Sequence, residues 1–246
     1  MTITSHDNAK LKLVRKLRER KHREREDLFA TEGEDLLAAG LAAGAGPRFV
    51  LVAAGASLEG AGFCGAELAA GTAEEVEPEL LAGASTLGSG TRAIAVWPRR
   101  FAAAPTAPSL YLHGVGDPGN VGAILRSADA LLGGAVVLGP ECADPFSPKA
   151  VRASMGSIFT RPPLRAELGE TAAPRVALVA HGGGGLEALA GAATVCLGAE
   201  REGLPDDVVA ACDAAAMIPL RPGGAESLNV AAAAAIACQR MSEAAR

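Results

Sequence analysis

Short apolar runs alternate with longer amphipathic stretches through the second half of the chain. The runs at 110–115, 135–138, 175–180, 194–197 and 214–219 are rich in Val, Leu and Ala and only four to six residues long, so each predicts a buried strand. Between and after them, 121–132, 148–154, 206–212 and 228–243 carry the wider apolar spacing of helices. Strands alternating with helices predict an α/β fold, a parallel sheet with helices on both faces, whose sites lie at the carboxyl ends of the strands.

The first hundred residues have a different rhythm. Ser5 can cap a helix starting near His6, with Leu11, Val14 and Leu17 on one face. A second short helix is expected over 34–43, strands over 48–53 and 92–97, and a helix over 74–81. Residues 98–109 contain Pro98, Pro105 and Pro108 among small residues and read as an extended linker. The expected organisation is therefore a domain over 1–97, a linker over 98–109, and a second domain over 110–246.

Composition narrows the classes. No apolar run is long enough to span a bilayer and the first residues lack an apolar signal core, so a cytoplasmic protein with no membrane partner is expected. The five cysteines (Cys64, Cys142, Cys196, Cys212, Cys238) include no C-x-x-C pair and read as small core residues. The four histidines have no metal-ligand spacing, so no metal site is implied. Net charge is −5, yet residues 10–25 hold nine Lys/Arg against two acids, +7 locally and −12 for the remainder. This segment is either a phosphate-binding arm, with Arg15, Lys16, Arg18, Arg20, Lys21 and Arg23 as RNA contacts, or a solvated helix face laced with i,i+4 pairs.

Three stretches carry the chemistry. Residues 117–130, DPGNVGAILRSADA, are a loop entering a helix, with Asn120 and Arg126; residues 197–204, LGAEREGL, are a strand end and turn, with Gly198, Glu200 and Gly203. Residues 218–231, IPLRPGGAESLNVA, are a strand end, a Pro/Gly loop and a helix start, with Ser227 and Asn229. In this order they resemble the three signature motifs of the SpoU/TrmH family, the RNA 2′-O-ribose methyltransferases of the SPOUT class, over the chain from about residue 110 onward.

The resemblance implies a deep trefoil knot in the second domain, and S-adenosylmethionine held there chiefly by backbone groups of Ala180, Leu197, Gly198, Ile218 and Leu228. Arg126 matches the family's essential arginine. A guanidinium rarely releases a proton, so it is expected to bind the neighbouring phosphate and stabilise the developing alkoxide; the bland alternative is a surface pair with Asp129. Asn120 ties the first loop or orients Arg126, Glu200 orders the loops or a subunit interface, and Ser227 either caps the helix or touches the substrate hydroxyl. Ala231 stands where most relatives place serine. The first domain resembles a small ribosomal-protein-like α/β unit that binds RNA substrate, its point of likeness being Phe29 and Glu32-Gly33 after a basic helix.

The expected activity is methyl transfer from S-adenosylmethionine to a ribose 2′-hydroxyl, of ribosomal more than transfer RNA, by a homodimer. The competing reading is a non-catalytic RNA-binding or ribosome-assembly protein with a relict methyltransferase fold. A dinucleotide-binding G-x-G-x-x-G is only imitated by Gly114, Gly116 and Gly119, broken by Pro118, and is set aside.

Overall fold

The structure, a computed structural model, describes residues 2–56, 72–87 and 90–243; Cys64 lies outside them. The chain forms two compact units, Met1–Arg99 with Phe146–Phe159, and Arg100–Pro145 with Thr160–Arg246.

In the first unit, helix α1 (Ala9–Lys16) starts later than the sequence predicts, because Asn8 rather than Ser5 accepts the Lys10 N–H, at 2.8 Å. Leu11, Val14 and Leu17 are buried as expected. A second helix, α2 (Arg20–Glu26), follows after a break and leads into strand β1 (Leu28–Glu32), which the sequence pattern missed. Helix α3 (Glu34–Ala42) and strand β2 (Phe49–Ala53) come next. The expected helix over 74–81 is instead strand β3 (Ala73–Val76) and helix α4 (Pro78–Ala84). The reason is local: Pro78 pre-sets the first helical turn and pushes Glu77 out of helical angles. With β4 (Ala93–Pro98) the sheet order is β1-β4-β2-β3, antiparallel except for β2 with β3.

The segment Phe146–Phe159 joins this unit, which the expected boundaries did not foresee. It contains helix α6 (Pro148–Ser154), capped by Ser147, and begins helix α7 (Ser157–Thr160). Aromatic packing holds it: the Phe29 ring centroid lies 5.1 Å from Phe146 and 5.7 Å from Phe159, and Trp97 meets Phe159 edge-on at 4.8 Å. Such contacts contribute beyond the area they bury.

The second unit comprises β5 (Ser109–Leu112), α5 (Pro118–Ser127, continued by a π turn Ala128–Leu132), β6 (Ala135–Leu138), β7 (Leu164–Arg165) and β8 (Arg175–Leu178). It closes with β9 (Thr194–Leu197), α8 (Asp206–Ala210), β10 (Ala214–Ala216) and α9 (Val230–Glu243). Every strand pair is parallel, in the order β10-β8-β9-β5-β6-β7. Helix α9 packs on α5 and its π turn, burying Val230, Ala234, Ala237, Cys238 and Met241. Strands β5, β8 and β10 stop earlier than their apolar runs predict, each at its carboxyl end. The remaining apolar residues turn out of the sheet there and become loop walls.

Burial pushes the Tyr111 hydroxyl and the Cys238 thiol each up to about 12, and moves the thiols of Cys142, Cys196 and Cys212 upward as well. The folded protein therefore keeps protons that the unfolded chain releases near the ordinary values of 9.0 and 10.0. Above those values the unfolded state binds fewer protons, so this contribution to stability is full below them and is lost as pH rises toward 12. The urea midpoint is expected to fall between about pH 8.5 and about pH 11. A flat or rising midpoint there would contradict the burial of these groups.

Candidate active site

The three motif stretches meet at the carboxyl edge of the second unit's sheet through one amide. Helix α5 opens with Asp117, whose carboxylate accepts the Asn120 N–H at 3.0 Å, and with Pro118 in its first turn. This fixes Asn120 one turn into the helix. Its side-chain amide donates to Glu200 Oε1 at 2.6 Å, and its oxygen accepts from the Asn229 amide at 3.0 Å. Asn229 Oδ1 in turn accepts the Ala231 N–H at 2.9 Å and caps α9. A chain of hydrogen bonds thus runs Glu200–Asn120–Asn229–Ala231, one link from each motif.

Glu200 sits on a tight turn after β9. Ala199 and Gly203 exchange both backbone hydrogen bonds at 3.0 Å, and Gly203 takes a left-handed φ of 71°. A Cβ on Gly198 would collide with the Gly203 backbone, so only glycine closes this turn. That is the physical reason for the two glycines flanking Glu200.

Beside the turn lies a cavity of about 490 Å³, walled by Leu178 at the end of β8 with Val179 and Ala180 after it, by Leu197, Gly198 and residues 199–204, and by Ile218, Ser227 and Leu228. All five residues expected to hold a donor, Ala180, Leu197, Gly198, Ile218 and Leu228, line it. His181, Glu202 and Glu226 also line it and were missed by the sequence reading. Their only signal was adjacency: His181 follows Ala180 and Glu226 precedes Ser227. A second, more open hollow of about 580 Å³ shares Ala199, Glu200, Arg201 and Glu202 with the first and adds Gly114, Gly116, Asp117, Asn120 and Asn229.

Ser227 does not cap the final helix, which starts at Val230 under the Asn229 cap; its place is on the cavity wall. Arg126 is exposed and lines neither hollow. It stands six residues, roughly 9 Å of helix rise, beyond Asn120. The surface pair with Asp129 does not form: Asp129 accepts from Thr160 Oγ1 at 2.7 Å and faces Arg161 at 3.4 Å.

The basic segment of the first unit is not a continuous cationic stripe. Arg23 is 3% exposed and donates to the Leu17 and Arg18 carbonyls at 2.7 Å, closing the end of α1, so it is buried rather than at the surface where an RNA contact is expected. Arg20 pairs with Glu24 and Lys21 with Glu19, both at 2.7 Å. Arg15 donates to the His6 carbonyl, Arg18 donates to main-chain carbonyls, and Lys16 is exposed. Among the described residues no cluster of His, Cys, Asp or Glu could hold a metal ion.

Asn120→Ala removes both amide links at once. A stability loss of about 1 kcal/mol is expected, because the partners are solvent-exposed. Amide hydrogen exchange should quicken in the 199–203 turn and at Ala231; unchanged exchange at both would show that the amide does not tie the loops.

Comparison with known proteins agrees with this geometry. Residues 108–239 match the SpoU rRNA Methylase family and residues 8–95 the MRM3-like substrate binding domain. The 23S rRNA (guanosine(2553)-2'-O)-methyltransferase RlmP of Bacillus subtilis is 37% identical over 136 residues, 52% of this chain and 54% of that protein. An uncharacterized tRNA/rRNA methyltransferase of Mycobacterium tuberculosis is 38% identical over 140 residues, 51% of this chain and 48% of its own length. These matches span about half the length of the curated relatives. An AdoMet-bound rRNA methyltransferase from Sinorhizobium meliloti has the same fold throughout, with a TM-score of 0.83 at 26% identity over 98% of this chain and 97% of that one. More than half of the chain thus matches one family model, and the protein belongs to the SpoU rRNA methylase family.

Proposed function

We propose that the protein transfers a methyl group from S-adenosylmethionine to a ribose 2′-hydroxyl of ribosomal RNA. The observation that carries this reading is the convergence of three separate loops on one cavity, stitched by the Asn120 amide. The volume suits a small-molecule cofactor. Its lining suits this one: Leu178, Leu197, Leu204, Ile218 and Leu228 offer apolar walls for a nucleoside, and Glu200, Glu202 and Glu226 offer negative charge to a cation. S-adenosylmethionine supplies an electrophilic methyl on a positively charged sulfonium. Ala180, Leu197, Gly198, Ile218 and Leu228 would hold it.

The second hollow would receive the acceptor ribose, since it shares the Glu200 wall with the first. Positioning the two reactants together removes much of the entropic barrier. Asn120 and Asn229 would orient the acceptor while Ser227 faces the donor side. Arg126 serves as a phosphate clamp and a stabiliser of the growing negative charge. The first unit binds the RNA. The ribosomal preference follows the relatives' names and the SpoU rRNA methylase match. The family's trefoil knot and a homodimeric state belong to this proposal. Leu220, 36% exposed on the third loop, is apolar surface that a second copy would cover.

Incubation with labelled S-adenosylmethionine and RNA from a strain deleted for the protein should place label in 2′-O-methylnucleosides of ribosomal RNA. Arg126→Ala should lower the rate by about 100-fold or more while leaving donor affinity within about twofold. Sedimentation should give a dimer. Donor binding without transfer to any RNA would favour a relict fold, and neither binding nor transfer would defeat the proposal.

A further inference from the structure

One acid in the first unit is used to build a surface turn. The Glu32 carboxylate, at the end of β1, accepts from Ser85 Oγ at 2.6 Å, from the Thr86 N–H at 3.0 Å, from Thr86 Oγ1 at 2.8 Å and from the Leu87 N–H at 3.2 Å. Ser85 Oγ lies 2.7 Å from Thr91 Oγ1. Two guanidinium groups also bond the turn. Arg18 donates to the Ser85 carbonyl at 2.9 Å, and Arg152, from α6, donates to Thr86 Oγ1 at 2.8 Å. Leu87, next to Thr86 on the turn, is 53% exposed.

The charges distinguish this place from the outer face of α2. Lys10, Lys12, Arg20, Lys21 and Arg25 each face a carboxylate, and Arg23 is buried. Arg18 and Arg152 bond neutral oxygens, so their positive charge is not cancelled by the atoms they touch. Glu32 places one negative charge in the turn, its oxygens accepting from hydroxyl and backbone donors, so with Arg18 and Arg152 the turn keeps a net charge of +1. The result is a hydrogen-bonded turn that carries two guanidinium groups, one carboxylate and an exposed apolar side chain. Single-stranded RNA asks for this combination: phosphate contacts spaced along the strand and a face against which an unstacked base can rest. A rigid turn also avoids ordering costs on binding.

We propose that residues 85–87, with Arg18 and Arg152, form the RNA-docking face of the first unit, and that the outer face of α2 does not. This deepens the RNA-methylation reading, on which the choice of ligand rests.

The test uses the full chain and in vitro transcribed 23S ribosomal RNA, with affinity measured across a salt series. Two double variants remove the same charge: Arg18→Gln with Arg152→Gln, and Arg20→Gln with Lys21→Gln. The first should weaken binding about tenfold or more and reduce the salt slope by about 1 to 2; the second should change affinity less than about twofold. Leu87→Glu, at a solvent-exposed site, should weaken binding as the first pair does and retain the wild-type melting temperature. Donor affinity, measured by calorimetry, should be the same in every variant. Equal losses from the two double variants, or wild-type affinity in Leu87→Glu, would overturn the docking face. So would a wild type that binds no RNA, or losses confined to intact large ribosomal subunits, which would assign the face to a protein partner. RNA binding without methyl transfer would instead defeat the reaction and leave the docking face standing.

Discussion

The arrangement of the site depends on a single carboxamide. An asparagine side chain can donate and accept at once, and Asn120 does both, giving a hydrogen bond to Glu200 and taking one from Asn229. A carboxylate there could not donate to Glu200, and a lysine could not accept from Asn229. The loops it joins are separated by 80 and 109 residues of chain. Each is individually a short exposed turn with little packing to hold it. Their alignment relies on the short Asp117 cap that places Asn120 and on the glycine-closed turn that places Glu200.

Around that amide the sheet supplies position and the loops supply chemistry. Parallel strands bring β5, β8, β9 and β10 to a common edge, and three of those strands end two or three residues before their apolar runs do. Val179, Ala180 and Ile218, which continue past the strand ends, become walls of the cavity. The apolar pattern therefore serves two purposes, core and pocket, with no change in residue type between them. Within the first unit the same economy holds: Arg23, part of a cationic run, is spent on the open end of α1, and Glu32 on a turn.

Much of this was legible in the chain. Strands 135–138 and 194–197 and helix 148–154 have the bounds that periodicity predicts, because turn residues punctuate both ends. The three motifs point to residues that the fold does bring to one place, with Arg126 as the exception. What was hidden was tertiary. β1 reads LFATE, whose burial is set by the Phe146 and Phe159 rings far along the chain. The helical look of 74–81 yielded to Pro78. Arg23 could not be told from its neighbours by charge, since only the break after α1 gives it carbonyls to satisfy. His181, Glu202 and Glu226 are ordinary loop residues until three loops close around them.

A double-mutant cycle tests most directly whether Asn120 couples the second and third motif loops. Calorimetric titration of S-adenosylmethionine into wild type, Glu200→Ala, Asn229→Ala and the double variant gives the four affinities required. If one amide unites the loops, the second substitution costs little once the first has been made, leaving a coupling of about 0.5–3 kcal/mol. Losses that simply add, with no coupling between the two positions, would mean that the loops are placed independently and that the Asn120 bridge is incidental.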